Sequence, residues 1–184
     1  MKNHRLTIRA LVAAAAVVGA QHAHALELID FHGLTCAKTQ ELCGAGVAYV
    51  TRGFSLQYAP AADEQYPTGF YAVGKSWRYN VDGSIALVAN SCGATTTLTS
   101  NKGASFAMFT IDLAEINGDS PSSVTFVGTK VDGSTVSKTV QLDGKAGWRR
   151  VLMPSAFASL KSVTWTQGDC VTNKPHMFDN ILVH

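Results

Sequence analysis

The stretch 124–142 constrains the fold more than any other part of the sequence. It reads Val-Thr-Phe-Val-Gly-Thr-Lys-Val-Asp-Gly-Ser-Thr-Val-Ser-Lys-Thr-Val-Gln-Leu, with β-branched runs on both sides of Asp132 and Gly133. An Asp-Gly pair between such runs is a strong hairpin signal, because glycine accepts the positive φ that tight turns require. The stretch therefore predicts two antiparallel strands.

The length of the hairpin loop follows from the faces that each register would create. A two-residue loop would set apolar side chains opposite polar ones, as in Phe126 opposite Thr139. A three-residue loop ending at Gly133, with that glycine left-handed in a bulge, sets Val124 opposite Val140 and produces one apolar face. We therefore expect the three-residue loop.

The rest of the sequence repeats this pattern of short β-prone runs between turn residues. About nine or ten strands can be recognised, with no helix of ordinary length. The pattern predicts an all-β fold, an antiparallel two-sheet β-sandwich of the jelly-roll type with at most one or two short helical turns. The first run, 26–31, and the last run, 178–183, are both rich in apolar residues typical of a core, so we expect these two strands to pair.

Local patterns lead to more specific expectations. The segment 47–58 predicts one strand bent at Gly53, because a glycine inside a strand often marks a bend or a bulge. Short helical turns are expected near 113–116 and 157–160. The segment 60–82 has no clear period and is expected to be an irregular loop.

The first 25 residues have the composition of a secretory signal peptide. Basic residues begin the chain, an apolar run covers 11–20, and an Ala-His-Ala motif ends at Ala25. The apolar run is far shorter than the roughly 20 residues that span a bilayer, which argues against an uncleaved anchor. The sequence therefore predicts a signal peptide at 1–25 and a single domain at 26–184, secreted or periplasmic and not integral to the membrane.

The charge of the mature domain argues against a nucleic-acid partner. The leader carries three of the 15 Lys and Arg residues and none of the 13 Asp and Glu residues, which leaves 12 basic against 13 acidic residues. The mature domain contains no basic cluster beyond one Arg-Arg pair, whereas nucleic-acid binding requires a basic surface.

The four cysteines, Cys36, Cys43, Cys92 and Cys170, all lie in the mature domain. An even number in an exported protein favours two disulfides. Three pairings are open, and we favour Cys36–Cys43, which are close in sequence, together with Cys92–Cys170. A zinc site is the weaker alternative, because no Cys-x-x-Cys pair is present.

Three motifs together resemble a known group of proteins. They are Ile-Asp-Phe at 29–31, Val-Asp-Gly-Ser-Thr-Val at 131–136 and Phe-Asp-Asn-Ile at 178–181. The sequence resembles secreted bacterial jelly-roll proteins of carbohydrate-binding type, many of which carry a carboxy-terminal sorting signal of the Pro-Glu-Pro type. That signal is absent from this sequence, so we expect free secretion or a periplasmic location and not sorting by that route.

The resemblance also implies a structural calcium ion between the first and last strands. Asp30 and Asp179 are the residues that match such a site, with Asn180 or backbone carbonyls as further oxygen ligands. The alternative is that Asp179 and Asn180 make turn or backbone hydrogen bonds. No other cofactor is indicated.

Aromatic residues in the 60–82 segment predict a ligand-binding surface there. A sugar ring stacks on Trp or Tyr while amides and carboxylates bind its hydroxyl groups, and Asp63, Arg78, Asn80 and Asp82 are interleaved here. The alternative is that these rings form a small core of their own. The candidate ligand-binding residues are Tyr66, Tyr71, Trp77 and Tyr79. Trp148 and Trp165 lie within predicted strands, and both are expected in the core.

The sequence thus favours a secreted, non-catalytic binding module for carbohydrate or for a cell-surface or extracellular-matrix component. A structural protein that assembles through its sheet edges or faces is the alternative. A secreted hydrolase is the third hypothesis, with Asp30, His32 and His176 as the acid–base candidates. No nucleophile-elbow, zinc-protease or phosphate-loop motif supports it.

Overall fold

Thirteen β-strands and no helix are found in the residues that the computed structural model describes, which are 25–34, 41–65, 68–75, 80, 84–116 and 121–184. The strands are β1 (Glu27–Ile29), β2 (Leu42–Gly46), β3 (Ala48–Thr51), β4 (Phe54–Ala59), β5 (Phe70–Val73), β6 (Ala86–Ala89), β7 (Thr95–Ser100), β8 (Met108–Glu115), β9 (Ser122–Lys130), β10 (Thr135–Leu142), β11 (Arg149–Leu152), β12 (Leu160–Thr166) and β13 (His176–Val183).

The strands form two antiparallel sheets. The first sheet has the order β11-β8-β13-β6-β5-β2, and β1 also pairs with β13. The second sheet has the order β10-β9-β12-β7-β4-β3. This arrangement confirms the predicted all-β, two-sheet jelly roll. It also confirms the pairing of the first and last strands, since Glu27 lies opposite Val183 and Ile29 opposite Ile181.

The main core lies between the two sheets and is rich in aromatic rings. Trp165 of the second sheet is 1% exposed, and its ring centroid lies 5.1 Å from that of Phe178 in the first sheet and 5.5 Å from that of Phe126. The ring centroid of Phe31 lies 5.8 Å from that of Phe178. Burial of these large rings contributes to the hydrophobic stabilisation that holds the sheets together.

The hairpin of β9 and β10 has the predicted three-residue loop. Val124 lies opposite Val140, and Gly133 has a φ of 85°. The Gly133 amide donates to Lys130 O at 3.0 Å, and the Lys130 amide donates to Ser134 O at 2.8 Å, as in a glycine bulge. The prediction is confirmed in register and in loop type.

A glycine within β9 lets the hairpin pack closely against its neighbours. A Cβ atom on Gly128 would lie 2.8 Å from Leu160 Cδ2 and 3.0 Å from Val136 Cγ2. A larger residue here would force these side chains to move, so packing favours the glycine at this position.

Three local expectations were wrong. The segment 47–58 is a hairpin of β3 and β4, because Arg52 and Gly53 both adopt positive φ, at 47° and 80°, and form a two-residue reversal of type I′. The expected helical turn near 113–116 is replaced by β8, whose residues pair with both β11 and β13. The segment 157–160 is a non-helical turn that leads into β12, in which the Phe157 amide donates to Pro154 O at 2.9 Å.

The segment 60–82 was expected to be an irregular loop, but its described residues include a strand. It contains β5, which lies inside the first sheet between β2 and β6. Phe70 of this strand is fully buried in the main core and not in a separate loop core. Alternation along β5 then places Tyr71 on the opposite face of the sheet.

A disulfide joins Cys92, which follows β6 of the first sheet, to Cys170, which follows β12 of the second. This is one of the two favoured pairings. Cys43 is also disulfide-bonded, and Cys36, the partner expected for it, lies outside the described residues. The leader at 1–24 lies outside them as well, so the signal peptide stays a prediction. No helix in the described part of the chain is long and apolar enough to cross a membrane.

Candidate binding site

A row of side chains crosses the outer face of the first sheet, away from the main core. Tyr71 lies opposite Val88, and Met177 opposite Ala114. Because Phe178 pairs with Leu87, Met177 falls beside Val88. Trp148 precedes β11 and falls beside Ala114, since the next residues pair as Arg149 and Leu113. We call this line, Tyr71–Val88–Met177–Ala114–Trp148, the outer row.

The outer row has small or flexible apolar residues in its middle and an aromatic residue at each end. Val88, Met177 and Ala114 are buried, while Tyr71 and Trp148 are partly exposed and pack against them. Four strand spacings separate the two aromatic residues, which corresponds to about 19 Å. They are therefore too far apart to contact the same sugar ring, but both could contact one extended ligand.

Asn80 fixes the orientation of Trp148. The indole Nε1 donates to Asn80 Oδ1 at 3.0 Å. Asn80 is fully buried, and its Nδ2 donates to Ser84 O at 2.7 Å and also lies within 3.3 Å of the Val73 and Gly74 carbonyls. Since the amide is held by backbone groups on one side, its oxygen is aimed at the indole.

Next to the outer row lies an ion pair that positions a guanidinium group. Arg150 Nε and Nη2 donate to the two carboxylate oxygens of Asp112, at 2.8 and 2.9 Å. Asp112 is almost fully buried and also accepts from Asn180 Nδ2 at 3.1 Å. The Arg150 side chain stays 64% exposed, and Asp112 raises the pKa of the guanidinium above its ordinary value. Two of its five N–H groups are occupied, so a fixed and charged donor faces the solvent.

A cleft of about 580 Å³ opens beside Trp148. Its lining combines the indole with two arginines and two carboxylates, together with small residues of the loop after β10. The lining residues are Ala114, Glu115, Leu142, Asp143, Lys145, Ala146, Gly147, Trp148, Arg149 and Arg150. The loop wall is held in place by Glu115, whose Oε1 accepts from the Gly144 amide at 2.7 Å. The volume falls within the range of sites for small ligands.

Asp179 lies beside Asp112 on the same face but makes different contacts. It is 1% exposed, accepts a short hydrogen bond from Ser84 Oγ and accepts from the Asn180 amide at 2.7 Å. Burial raises the pKa of Asp179 to about 6, against the smaller opposing effect of these hydrogen bonds. The buried carboxyl group of Asp179 is therefore linked to Ser84, which precedes β6.

The structure describes only one of the four predicted ligand-binding residues. Tyr71 lies in the outer row, whereas Tyr66, Trp77 and Tyr79 fall outside the described residues. Their common exposure on one face stays a prediction. Trp165 is in the main core as expected, but Trp148 is not, because it lies on the outer face of the first sheet and lines the cleft.

The two candidate calcium ligands have other partners in the structure. Ser84 and Asn180 use both carboxylate oxygens of Asp179. Asp30 lies 3.5 Å from His32 Nδ1 and 3.9 Å from Arg52 Nη2. No group of three or more metal-ligating side chains occurs among the described residues. This donor set does not supply the oxygens that calcium needs, and the calcium ion stays a prediction.

The acid–base candidates have different environments. His32 is exposed beside Asp30, whereas His176 is 2% exposed at the start of β13. Burial lowers the pKa of His176 to about 3, and its Nδ1 has no hydrogen-bond partner in the described part of the chain. A neutral, enclosed imidazole of this kind is poorly placed to exchange protons with a substrate.

The sequence contained one signal for the missed residue. Trp148 follows Gly144 and Gly147, and Arg149 and Arg150 come directly after it. An aromatic residue between a glycine turn and two arginines lies where a loop becomes a strand, and such positions often carry function.

Comparisons with known proteins add little to this description. No family model matches the sequence, and no curated protein matches it. Among solved structures, the fold is similar to a family 29 carbohydrate-binding module, with a TM-score of 0.46, 10% identity and 87% of each chain covered. A variant of such a module in complex with mannohexaose has a TM-score of 0.42 at 10% identity, covering 87% of this chain and 90% of that one.

An F5/8 type C domain from Bacteroides fragilis is similar as well. Its TM-score is 0.44 at 12% identity, and the match covers 76% of this chain and 97% of that domain. At these TM-scores and identities the likenesses carry no argument about function, which must come from the site itself.

Proposed function

We propose that the protein is a non-catalytic binding module whose ligand is a carbohydrate, and that the cleft beside Trp148 is its binding site. The observation that carries this proposal is the combination, in one cleft, of a partly exposed indole held by Asn80 and a guanidinium held by Asp112. A sugar ring has an apolar face for the indole and hydroxyl groups for charged donors and acceptors. Polar groups of fixed orientation around an aromatic surface are typical of specific small-ligand sites.

The outer row suggests a ligand longer than one sugar. Tyr71 lies at the far end of the same face, about four strand spacings from Trp148. An extended oligosaccharide that stacks on Trp148 could reach toward Tyr71, which gives the residue predicted from the sequence a secondary role.

The test is a glycan array followed by titration calorimetry with the strongest oligosaccharide. We expect Trp148→Ala to raise Kd at least tenfold, because it removes the stacking surface. Trp148→Phe should retain most of the affinity, since it keeps a ring and loses only the bond to Asn80. Phe109→Ala serves as the matched control, because Phe109 is a partly exposed aromatic residue outside the cleft. Thermal melting of each variant would show that the fold is retained.

Two results would contradict the proposal. The wild-type protein could bind no glycan on the array, or Trp148→Ala could bind as tightly as the wild type while Tyr71→Ala loses affinity. The second result would move the site to the other end of the outer row. Absence of glycan binding together with concentration-dependent oligomers would favour the structural alternative.

A further inference from the structure

One edge of the second sheet is formed by β10, a long and regular strand with a single charged residue. β10 spans eight residues and pairs with β9 in one continuous register from Thr135 to Leu142, without a bulge or a proline. It is the outermost strand of its sheet. Such an edge offers unpaired backbone groups that another strand can bind.

The hydrogen bonds of the hairpin show which residues face that edge. The Lys130 amide donates to Ser134 O, so even-numbered residues of β10 direct their backbone groups toward β9. The odd-numbered residues, Thr135, Ser137, Thr139 and Gln141, therefore direct their N–H and C=O groups outward. Gln141 O accepts a hydrogen bond from the Arg149 guanidinium, which agrees with the outward direction of the odd-numbered backbone groups. The outward backbone groups of Thr135, Ser137 and Thr139 have no partner among the described residues.

The other sheet edges are protected in ways that β10 is not. β3 and β11 have only four residues each, and β11 carries Arg149 and Arg150. β2 has a register shift between Gly44 and Gly46. Short length, charge and bulges are the usual devices against edge-to-edge pairing. In β10 the only charged residue is Lys138, which lies opposite Phe126 on the face toward the core and not on the outer face.

The sequence of β10 is also complementary to itself. When two copies run antiparallel about Ser137, that residue pairs with its own counterpart, and Thr135 pairs with Thr139 of the second copy. The inward residues then place Val136 opposite Lys138, so the two lysines are not directly opposed. Each of the three outward pairs exchanges two backbone hydrogen bonds, and the hydroxyl side chains meet on the outer face, where Thr and Ser pairs are favourable.

We propose that the protein forms a two-fold symmetric dimer through β10, with Ser137 on the symmetry axis and the second sheets of two copies joined into one. The occupant of this edge is a second copy of the chain and not a foreign strand, because the central register places no like charges opposite each other and uses all the free outward groups of 135–139. A symmetric interface of this kind closes after two copies.

The first test is sedimentation velocity over about a hundredfold range of protein concentration. We expect the wild type to shift from monomer to dimer as concentration rises. Ser137→Pro should raise the dimer Kd at least tenfold, because it removes the central outward N–H. It should still fold, since that N–H has no partner in the described part of the chain. The matched control is Ser137→Ala, which keeps the N–H and should dimerise like the wild type.

A charge-exchange experiment tests the register itself. Ser137→Lys and Ser137→Glu should each be monomeric, because each places two like charges on the axis. An equal mixture of the two variants should recover the dimer, with an affinity that falls as salt is added. This pair keeps the proposal testable even if the proline variant does not fold. A wild type that stays monomeric throughout would overturn the proposal, and so would a dimer that is indifferent to all substitutions at Ser137.

Discussion

Two buried ionisable residues have pKa shifts that act in opposite directions on stability. The pKa of Asp179 is raised to about 6 by burial, so between its ordinary value and pH 6 the folded state binds a proton that the unfolded state has lost. The contribution of Asp179 to the free energy of unfolding is fully present below its ordinary pKa, near 3.8, and is lost as pH rises through 6. The pKa of His176 is lowered to about 3. Between pH 6.5 and about 3 the unfolded state therefore binds a proton that the folded state lacks, so the free energy of unfolding falls as pH falls through this range.

We therefore expect the two effects to cancel in the wild type between about pH 4 and pH 6. Asp179→Asn should leave the histidine effect, so that the free energy of unfolding rises with pH by up to about 1.4 kcal/mol per pH unit relative to the wild type. His176→Gln should leave the aspartate effect, and the slope should have the opposite sign. Urea unfolding at pH values from 4 to 6.5 measures both slopes. If the free energy of unfolding of both variants ran parallel to that of the wild type across this pH range, neither Asp179 nor His176 would titrate as described.

The Cys92–Cys170 disulfide is a covalent link between the two sheets. Cys92 follows β6 and Cys170 follows β12, with a sequence separation of 78 residues, and the Gly93 amide donates to Gly168 O at 2.9 Å nearby. Replacing both cysteines by alanine should lower the free energy of unfolding by on the order of 4 kcal/mol, because closing so long a loop restricts the unfolded chain. Chemical denaturation measures the loss, and Val171→Ala, at an exposed neighbouring position, is the control. A loss well below 1 kcal/mol would mean that the unfolded chain is already restrained.

The elements that the sequence predicted well are those in which local signals and burial agree. The β9–β10 hairpin has a turn signal and a single register that gives one apolar face, so its loop and pairing followed from the residues alone. The sequence predicts one strand where the structure has β3 and β4, because Gly53 could mark either a bend or a reversal, and only the positive φ of Arg52 distinguishes the two. The sequence does not predict β5 because the strand has only four residues and one of its two neighbours, β2, is distant in sequence.

The candidate site depended on information that the sequence does not contain. The sequence predicts Tyr71 from its aromatic neighbours in the chain, but it predicts a core position for Trp148 because that residue lies within a predicted strand. Its position on the outer face follows from the register of β11 against β8, at the edge of the sheet, and its contact with Asn80 joins residues 68 positions apart. Edge position and long-range contacts are tertiary properties, which local propensity does not encode.

For the whole molecule, the two proposed surfaces belong to different sheets but lie close to each other. The Arg149 guanidinium lines the cleft and donates to Gln141 O at the end of β10. A dimer formed through β10 would therefore carry two carbohydrate clefts, one near each end of the joined strands. Binding of both clefts to one polymer makes the second contact intramolecular and raises the apparent affinity without any new contact.

This arrangement predicts that dimer formation matters for polymers and not for short ligands. Ser137→Pro should bind an oligosaccharide with the wild-type Kd, because the cleft is unchanged, yet bind the immobilised polysaccharide about 100-fold more weakly. Trp148→Ala should lose affinity for both. Calorimetry measures the first interaction and surface binding at low protein density the second. If wild type and Ser137→Pro bound the polysaccharide equally, the two clefts could not contact one polysaccharide at the same time. If Ser137→Pro also lost affinity for the oligosaccharide, β10 and the cleft would not be independent surfaces.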